Sequence, residues 1–281
     1  MTFNSYAKIN IGLEIVDKRL DGYHEIETLF QQISLKDIID IQVSENSDIT
    51  LSCADDECPE NKSNLAFKAA SALQKTCKTE KGCRIHITKK IPIGAGLGGG
   101  SSNAAATLVV LNELWNCNLA EPQLSEIAFH LGADVPFFLH GGLCLGEGLG
   151  ERLTPLSDRP EYAGLLVSPN IQISTKWAYQ SVNFSLTKAN KISKLKGFVR
   201  NVYDFDNWSL LSNDLEKVVF QAYPELEHIV QQLYAAGAFY AQMSGSGSSI
   251  YGLFRTHAEA SSAQETMQSR FSTYLFFPKY V

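Results

Sequence analysis

The sequence of 281 residues lacks the features that define several large classes of protein. No apolar run approaches the roughly 18 residues that a membrane-spanning helix needs. The chain opens without a basic segment followed by an apolar run, so we expect no signal peptide and a cytoplasmic location. It also lacks internal repeats and low-complexity linkers. A hydrophobic fraction of 44% therefore predicts a globular protein with a sizeable core.

Basic residues are too few for a protein that holds nucleic acid through its phosphates. The chain has 24 Lys and Arg against 30 Asp and Glu, which gives a formal net charge of −6. Because phosphate contacts depend on clustered Lys and Arg, we expect no nucleic-acid partner.

Zinc-binding cysteine spacings are missing as well. Six cysteines occur, at positions 53, 58, 77, 83, 117 and 144. None of them forms a Cys-x2-Cys pair, and His86 alone does not complete a ligand set. Since the chain is long and has no secretory signal, disulfides are not expected either. We predict free, mostly buried thiols.

Hydrophobic periodicity predicts an α+β protein. Apolar residues alternate with polar ones over 7–15, which is the period of a half-buried strand and places Lys8 and Asn10 on one face. Further strands are predicted near 23–33, 39–43, 49–53, 84–88, 163–167, 239–243, 250–254 and 274–277. Helices are predicted after Asn64, after the glycine-rich segment described next, and over 122–131, 208–222, 224–236 and 258–270, with a glycine-rich hairpin over 141–156.

The segment from Pro92 to Asn103 carries five glycines and leads into a helical pattern. Glycines permit positive φ and leave backbone amides accessible, and the N-terminus of the helix adds partial positive charge, so the segment is suited to phosphate. Its Gly94-x-Gly96-x-x-Gly99 spacing also matches a dinucleotide fingerprint. That motif requires an acidic residue about twenty positions later, on a second strand. The acidic candidate at this distance, Glu113, falls in a helical pattern and not on a strand, which argues against a dinucleotide site.

Each of the other polar segments has a simple structural explanation when taken by itself. Asp134 follows one helix and precedes Pro136, as a helix N-cap would. Lys8 could be a solvated lysine on a strand. Residues 21–24 could form an exposed turn, and residues 244–249 could form a flexible hairpin tip.

Taken together, these segments resemble the GHMP kinase superfamily. The resemblance covers nearly the whole chain and rests on Ala7-Lys-Ile-Asn10, Asp21-Gly-Tyr-His24, Pro92 to Ser102, Gly132-Ala-Asp-Val-Pro136, Asn213-Asp214 and Ser244-Gly-Ser-Gly247. It implies an ATP-dependent kinase that phosphorylates an alcohol of a small molecule. Within the superfamily, Ala7 to Asn10 and Asp21 to His24 are similar to a subfamily of isoprenoid precursor biosynthesis. The substrate of that subfamily carries a cytidine diphosphate moiety.

The resemblance also implies roles for individual residues. Lys8 and Asp134 would be the catalytic pair at the substrate hydroxyl, and Asn10 would help to hold the substrate. Tyr23 would stack on the cytosine, and His24 would hydrogen-bond its edge. Asn64 and Lys89 would lie near the adenine of ATP. The ATP phosphates would be bound by Pro92, Ile93, Gly94, Ala95, Gly96, Leu97, Gly98, Gly99, Gly100, Ser101 and Ser102.

The implied fold is a two-domain α+β kinase. Residues 1–158 would form an N-terminal domain like ribosomal protein S5 with the ATP loop, and residues 159–281 a C-terminal ferredoxin-like domain. Mg²⁺ is expected with ATP, with Ser101 or Ser102 as a possible ligand and no other metal ligand assigned. We expect a monomer or weak homodimer. The alternatives are a kinase of the same superfamily for homoserine, mevalonate or a sugar, a nucleotide-binding regulator without activity, and a dinucleotide-binding protein.

Overall fold

The computed structural model describes residues 1–55, 58–182 and 193–280. The chain forms two compact units that alternate along the sequence. The first consists of Met1–Ala7, Leu35–Ile93 and Gly98–His140. The second consists of Lys8–Ser34, Gly94–Leu97 and the described residues from Gly141 onward. The sequence predicts instead one division after residue 158, which stays a prediction of domain organisation.

Two long strands, β1 (Thr2–Lys18) and β2 (His24–Ser44), pair with each other and contribute to both units. The remaining elements of the first unit are β3 (Ile49–Cys53), α1 (Leu65–Cys77), β4 (Gly82–Thr88), α2 (Gly99–Leu114), α3 (Glu121–Leu131) and α4 (Phe137–His140). The C-terminal half of β2 pairs antiparallel with β4, to which β3 is parallel. The helices α1 and α2 pack together in a core that includes Ala69, Ala105 and Leu108.

The second unit contains the rest of the chain. Its elements are β5 (Leu143–Gly148), β6 (Arg152–Pro155), β7 (Ala163–Ser168), α5 (Thr175–Ser181), α6 (Lys194–Phe198), α7 (Glu216–Ala222), α8 (Pro224–Ala235), β8 (Tyr240–Met243), β9 (Ile250–Phe254), α9 (His257–Met267) and β10 (Ser272–Phe276). The predicted glycine-rich hairpin is confirmed as β5 and β6, and β5 also pairs with residues 26–31 of β2.

The last four strands confirm the predicted ferredoxin-like domain. They form an antiparallel sheet in the order β10-β7-β9-β8. The helix α8 precedes β8, and α9 connects β9 to β10, which is the β-α-β-β-α-β arrangement of that fold.

The predicted continuous helix over 208–222 is wrong. The structure has 3₁₀ turns at Val199–Asn201 and Phe205–Leu210, and then an irregular stretch before α7 begins at Glu216. Within that stretch, the Asn213 side chain accepts a hydrogen bond from the backbone N–H of Leu215 at 3.0 Å. Asn and Asp side chains compete in this way with helical hydrogen bonding, and this competition overrides the apolar periodicity.

The prediction of six free cysteines is also wrong. Cys53 is bonded to Cys58, and Cys77 to Cys117, with Cα atoms 6.1 and 5.6 Å apart. The prediction rested on compartment and spacing, whereas the second pairing follows from tertiary structure. Cys77 ends α1, Cys117 lies shortly after the end of α2, and the packing of the two helices brings the sulfurs together.

The other two thiols are free and buried, as predicted. Burial raises the pKa of Cys83 and that of Cys144 to about 12. Across the described residues, none of the helices combines the length and the apolar character that crossing a bilayer requires.

Candidate active site

Lys8 is buried in the second unit and makes defined hydrogen bonds there. Only 3% of its surface is exposed, which excludes the solvated lysine that a strand face alone would suggest. Its Nζ donates to Asn10 Oδ1 at 2.6 Å and to the carbonyl oxygen of Gly96 at 2.9 Å. It also lies 5.6 Å from the centre of the Phe30 ring. Because a buried ammonium is costly unless it is paired, these oxygens hold the charge in one place.

Asn10 is held in turn by its own partners. Its Nδ2 donates to Thr28 Oγ1 at 3.0 Å, and the Thr28 hydroxyl donates to the carbonyl of Gly12 at 2.6 Å. This chain of hydrogen bonds orients the amide so that its oxygen faces Lys8. The predicted placement of Lys8 and Asn10 on one strand face is confirmed, since both belong to β1 and are bonded to each other.

Residues 94–97 of the glycine-rich segment pack on the serine-rich turn that joins β8 and β9. The backbone N–H of Ser249 donates to the carbonyl of Ala95, and the hydroxyl of Ser244 donates to that of Gly96 at 3.0 Å. Gly96 has φ of +79°, and a Cβ there would lie 2.1 Å from the Ser244 carbonyl oxygen. Glycine is therefore required at position 96 by both conformation and space.

The next residues of the segment begin α2 in the first unit, as predicted. Gly98 has φ of +68°, and the helix starts at Gly99. The Ser102 side chain is buried, and its hydroxyl is hydrogen-bonded to that of Ser5 at 2.7 Å. Since the first turn of a helix presents unsatisfied N–H groups and partial positive charge, this end of α2 can bind an anion.

Lys89 lies beside the start of α2 and forms an ion pair with Asp37, which is fully buried. A Cβ at Gly99 would lie 3.2 Å from Lys89 Nζ. The Asp37 carboxylate also accepts from the N–H groups of Lys90 and Ile91 at 2.7 and 2.9 Å and from Asn103 Nδ2 at 3.0 Å. Asp37 thus connects the chain before the glycines to the helix after them, a connection that the sequence alone does not indicate.

Asn64 is the N-cap of α1, as the sequence predicts. Its Oδ1 accepts from the N–H of Ala66 at 2.9 Å, and its Nδ2 donates to the carbonyl of Pro59. The roles of Asn64 and Lys89 near adenine stay predictions.

Tyr23 and His24 follow the turn that connects β1 to β2. Asp21 orders this turn by accepting from the Tyr23 N–H at 3.1 Å and from Arg19. The Tyr23 side chain is 63% exposed, whereas His24 is buried. The His24 ring stacks on that of Tyr179, with centroids 5.7 Å apart and planes at 25°. Burial, helped by the charge of Lys18, lowers the pKa of His24, which favours the neutral imidazole.

Asp134 lies in the turn just before α4 in the first unit and is partly buried. The turn is closed by backbone hydrogen bonds from Val135 to Gly132 and from Phe138 to Val135. Lys8 belongs to the second unit. Their joint action on one hydroxyl stays a prediction.

Sequence reasoning missed several residues that organise these sites. Asp37, Thr28 and Tyr179 occur in no motif, and each contacts a predicted site residue from a distant part of the chain. Periodicity identifies Thr28 only as a position on β2. Asn213 belongs to one of the segments that carry the family resemblance, and the resemblance implies no role for it.

Comparison with known proteins points to one family. The model of the GHMP kinases N terminal domain matches residues 64–142, and that of the GHMP kinases C terminal domain matches residues 196–273. A 4-diphosphocytidyl-2-C-methyl-D-erythritol kinase of Prosthecochloris aestuarii is 41% identical over 275 residues, which cover 96% of this chain and 95% of the relative. The kinase of the same description from Geobacter sulfurreducens is 41% identical over 270 residues, with coverage of 96% and 95%.

A solved structure agrees with these relatives. The crystal structure of a 4-(cytidine 5'-diphospho)-2C-methyl-D-erythritol kinase superposes on this chain with a TM-score of 0.86 and 31% sequence identity. The match covers 100% of both chains.

Proposed function

Since this chain belongs to the GHMP kinases, and within them to the family of 4-diphosphocytidyl-2-C-methyl-D-erythritol kinases, we propose that it transfers the γ-phosphoryl group of ATP to the 2-hydroxyl of that erythritol derivative. The products are ADP and the 2-phosphate, an intermediate of non-mevalonate isoprenoid biosynthesis. We further propose that the enzyme works in the cytoplasm as a monomer or weak homodimer.

The observation that carries the proposal is the buried ammonium of Lys8, held between the Asn10 amide oxygen and the Gly96 carbonyl. Gly96 belongs to the segment proposed to bind the phosphates of ATP, from Pro92 to Ser102. A fixed cation beside that segment can offset negative charge on the transferring group and favour ionisation of the attacking alcohol. Phosphoryl transfer depends mainly on positioning and electrostatic stabilisation, and a rigidly held lysine suits both.

Asp134 is the proposed acceptor of the hydroxyl proton. A carboxylate can take that proton as the bond from the alcohol oxygen to phosphorus forms and the bond to the ADP oxygen breaks. Asn10 is proposed to hydrogen-bond the substrate next to the reacting hydroxyl.

The substrate's base is proposed to bind at Tyr23 and His24. The exposed Tyr23 ring offers a face on which cytosine can stack. A neutral His24 has one N–H donor and one ring-nitrogen acceptor, which suits the polar edge of cytosine.

Magnesium is proposed to enter bound to ATP. Mg²⁺ prefers oxygen ligands and keeps several waters, so few protein ligands are needed. Among the described residues, no group of three His, Cys, Asp or Glu side chains could hold a metal. Ser101, in the first turn of α2, can supply a hydroxyl, whereas the Ser102 hydroxyl is buried against Ser5.

The test is an ADP-release assay on purified protein with four acceptors. These are 4-diphosphocytidyl-2-C-methyl-D-erythritol, here called the cytidylyl substrate, and mevalonate, homoserine and galactose. We expect turnover with the first acceptor alone, and ³¹P NMR should show one new phosphomonoester. Turnover with another acceptor would reassign the enzyme within the superfamily. ATP binding without turnover of any acceptor would indicate a regulator, and tight NAD binding in a fluorescence titration would indicate a dinucleotide-binding protein.

A further inference from the structure

Asn213 lies in the irregular stretch before α7 and makes three hydrogen bonds to backbone. Its Nδ2 donates to the carbonyl oxygens of Met243 and Gly245, at 3.0 and 2.7 Å, and its Oδ1 accepts from Leu215. The residue is 3% exposed. Of the uncharged side chains, only an amide offers two donor hydrogens on one atom together with an acceptor, so no shape-matched residue can replace this set.

The backbone that Asn213 holds lies directly against Lys8 and Asn10. Gly245 has φ of +58°, and a Cβ at this residue would lie 3.1 Å from Asn10 Oδ1 and 3.5 Å from Lys8 Nζ. The preceding residue, Ser244, accepts a hydrogen bond from the Asn10 N–H through its hydroxyl. Any movement of the Met243–Gly245 backbone therefore changes the space that these two side chains occupy.

Neighbouring side chains hold the backbone of Met243 and the backbone of β1 at Asn10 and Gly12. Glu216 Oε1 accepts from the Met243 N–H at 2.8 Å, and Gln242 Oε1 accepts from the Gly12 N–H at 2.8 Å. The Tyr251 hydroxyl donates to the carbonyl of Asn10 at 2.8 Å. The hydrogen bonds of these three side chains go to Met243, Gly12 and Asn10, whereas Asn213 hydrogen-bonds to Gly245, the residue against Lys8.

We propose that Asn213 is a positioning residue for the phosphoryl-transfer reaction. It holds the Gly245 carbonyl and so fixes Lys8 and Asn10 in the geometry that acts on the substrate hydroxyl. The catalytic part of this proposal, the effect of Asn213 on phosphoryl transfer, rests on the function proposed above. The structural part, that Asn213 orders the Lys8–Asn10 region, does not depend on any substrate.

The test variant is Asn213→Asp, which keeps the shape and the acceptor oxygen but loses both donors. Its matched control is Asn112→Asp, which removes an amide that also donates to one backbone carbonyl and accepts from one backbone N–H, both of Leu119. Asn112 lies near the C-terminal end of α2 in the first unit. If Asn213→Asp is insoluble, Asn213→Ser carries the same measurements without adding a charge.

Two measurements on these variants decide the proposal. First, amide hydrogen exchange without ligands should be about tenfold faster or more in Asn213→Asp over residues 8–12 and 243–249, and unchanged there in the control. Second, kcat should fall about 10- to 100-fold, with KM values for ATP and the cytidylyl substrate changing less than about threefold.

The same kinetic measurement in a Lys8→Met background shows whether Asn213 acts through Lys8. There, Asn213→Asp should lower the residual kcat by less than about threefold, because the two residues act through one group.

Unchanged exchange over residues 8–12 would overturn the proposal, whatever the kinetics. An equal loss of kcat with and without Lys8 would also overturn it, because Asn213 would then act independently of Lys8. If the wild-type enzyme fails to phosphorylate the cytidylyl substrate, the proposed function fails, while the exchange measurement still shows whether Asn213 orders this region.

Discussion

The Nζ of Lys8 and the Oδ1 of Asn10 lie 2.6 Å apart on one face of β1. Both residues are almost fully buried, at 3% and 2% exposure. The hydrogen bond joins a cation to an amide whose other atom is already held by Thr28, so the ammonium has little freedom. A charge that is placed before substrate arrives needs no reorganisation during the reaction.

Replacing Lys8 should therefore affect catalysis more than binding. We expect Lys8→Met to lower kcat by about 10²- to 10³-fold, with the Kd for ATP changing much less, because the charge stabilises the transition state. Steady-state kinetics and an ATP-binding titration measure the two effects. The control is Lys217→Met on the exposed surface of α7. A Kd for ATP that rises as much as kcat falls would indicate a binding role.

Asp134→Asn should slow the reaction without disturbing the folded structure. The variant keeps the shape of the side chain but replaces the carboxylate, which can take up a proton, with an amide, which cannot. We expect kcat to fall by about 10²- to 10⁴-fold with ATP binding preserved. Asp206→Asn, at a carboxylate that is 92% exposed, is the control. An unchanged kcat in Asp134→Asn would remove Asp134 from the proposed mechanism.

The ring of Tyr23 should matter for one substrate only. Tyr23→Ala is expected to raise KM for the cytidylyl substrate about tenfold, because base stacking on an aromatic ring contributes about 1–3 kcal/mol, and to leave KM for ATP unchanged. Tyr23→Phe keeps the ring and should behave like the wild type. Equal effects of Tyr23→Ala on both KM values would contradict the stacking role.

Glu216 should make the stability of the protein depend on pH. Burial is the main cause that raises its pKa from 4.5 to about 7, and the charge of Glu227 adds to it. The native state thus binds this proton more tightly than the unfolded state, so stability falls as pH rises from about 4.5 to about 7.

Removing the charge at position 216 should abolish this loss. Glu216→Gln keeps an oxygen for the Met243 N–H. Between pH 5 and pH 8, we expect the wild type to lose about 2–3 kcal/mol of unfolding free energy relative to the variant. Urea unfolding at both pH values measures the difference, with exposed Glu225→Gln as the control. The same pH dependence in Glu216→Gln and the wild type would contradict the raised pKa.

Much of the local structure was predictable because its causes are local. Alternating apolar residues predict β1, the run of glycines before an apolar helical pattern predicts the start of α2, and Asn64 caps α1 as expected. The helix predicted over 208–222 failed, because the side chain of Asn213 hydrogen-bonds backbone in place of a continuous helix.

The sequence by itself determined which strand carries Lys8 and Asn10 and that a run of glycines leads into α2, since both follow from local patterns of residues. Only the tertiary structure decided that Asp37 pairs with Lys89, that His24 stacks on Tyr179 and that Asn213 holds Gly245. These partners are 32 to 155 positions apart in the chain. No local pattern encodes such contacts, because they form only when distant elements pack together and buried polar groups must find partners.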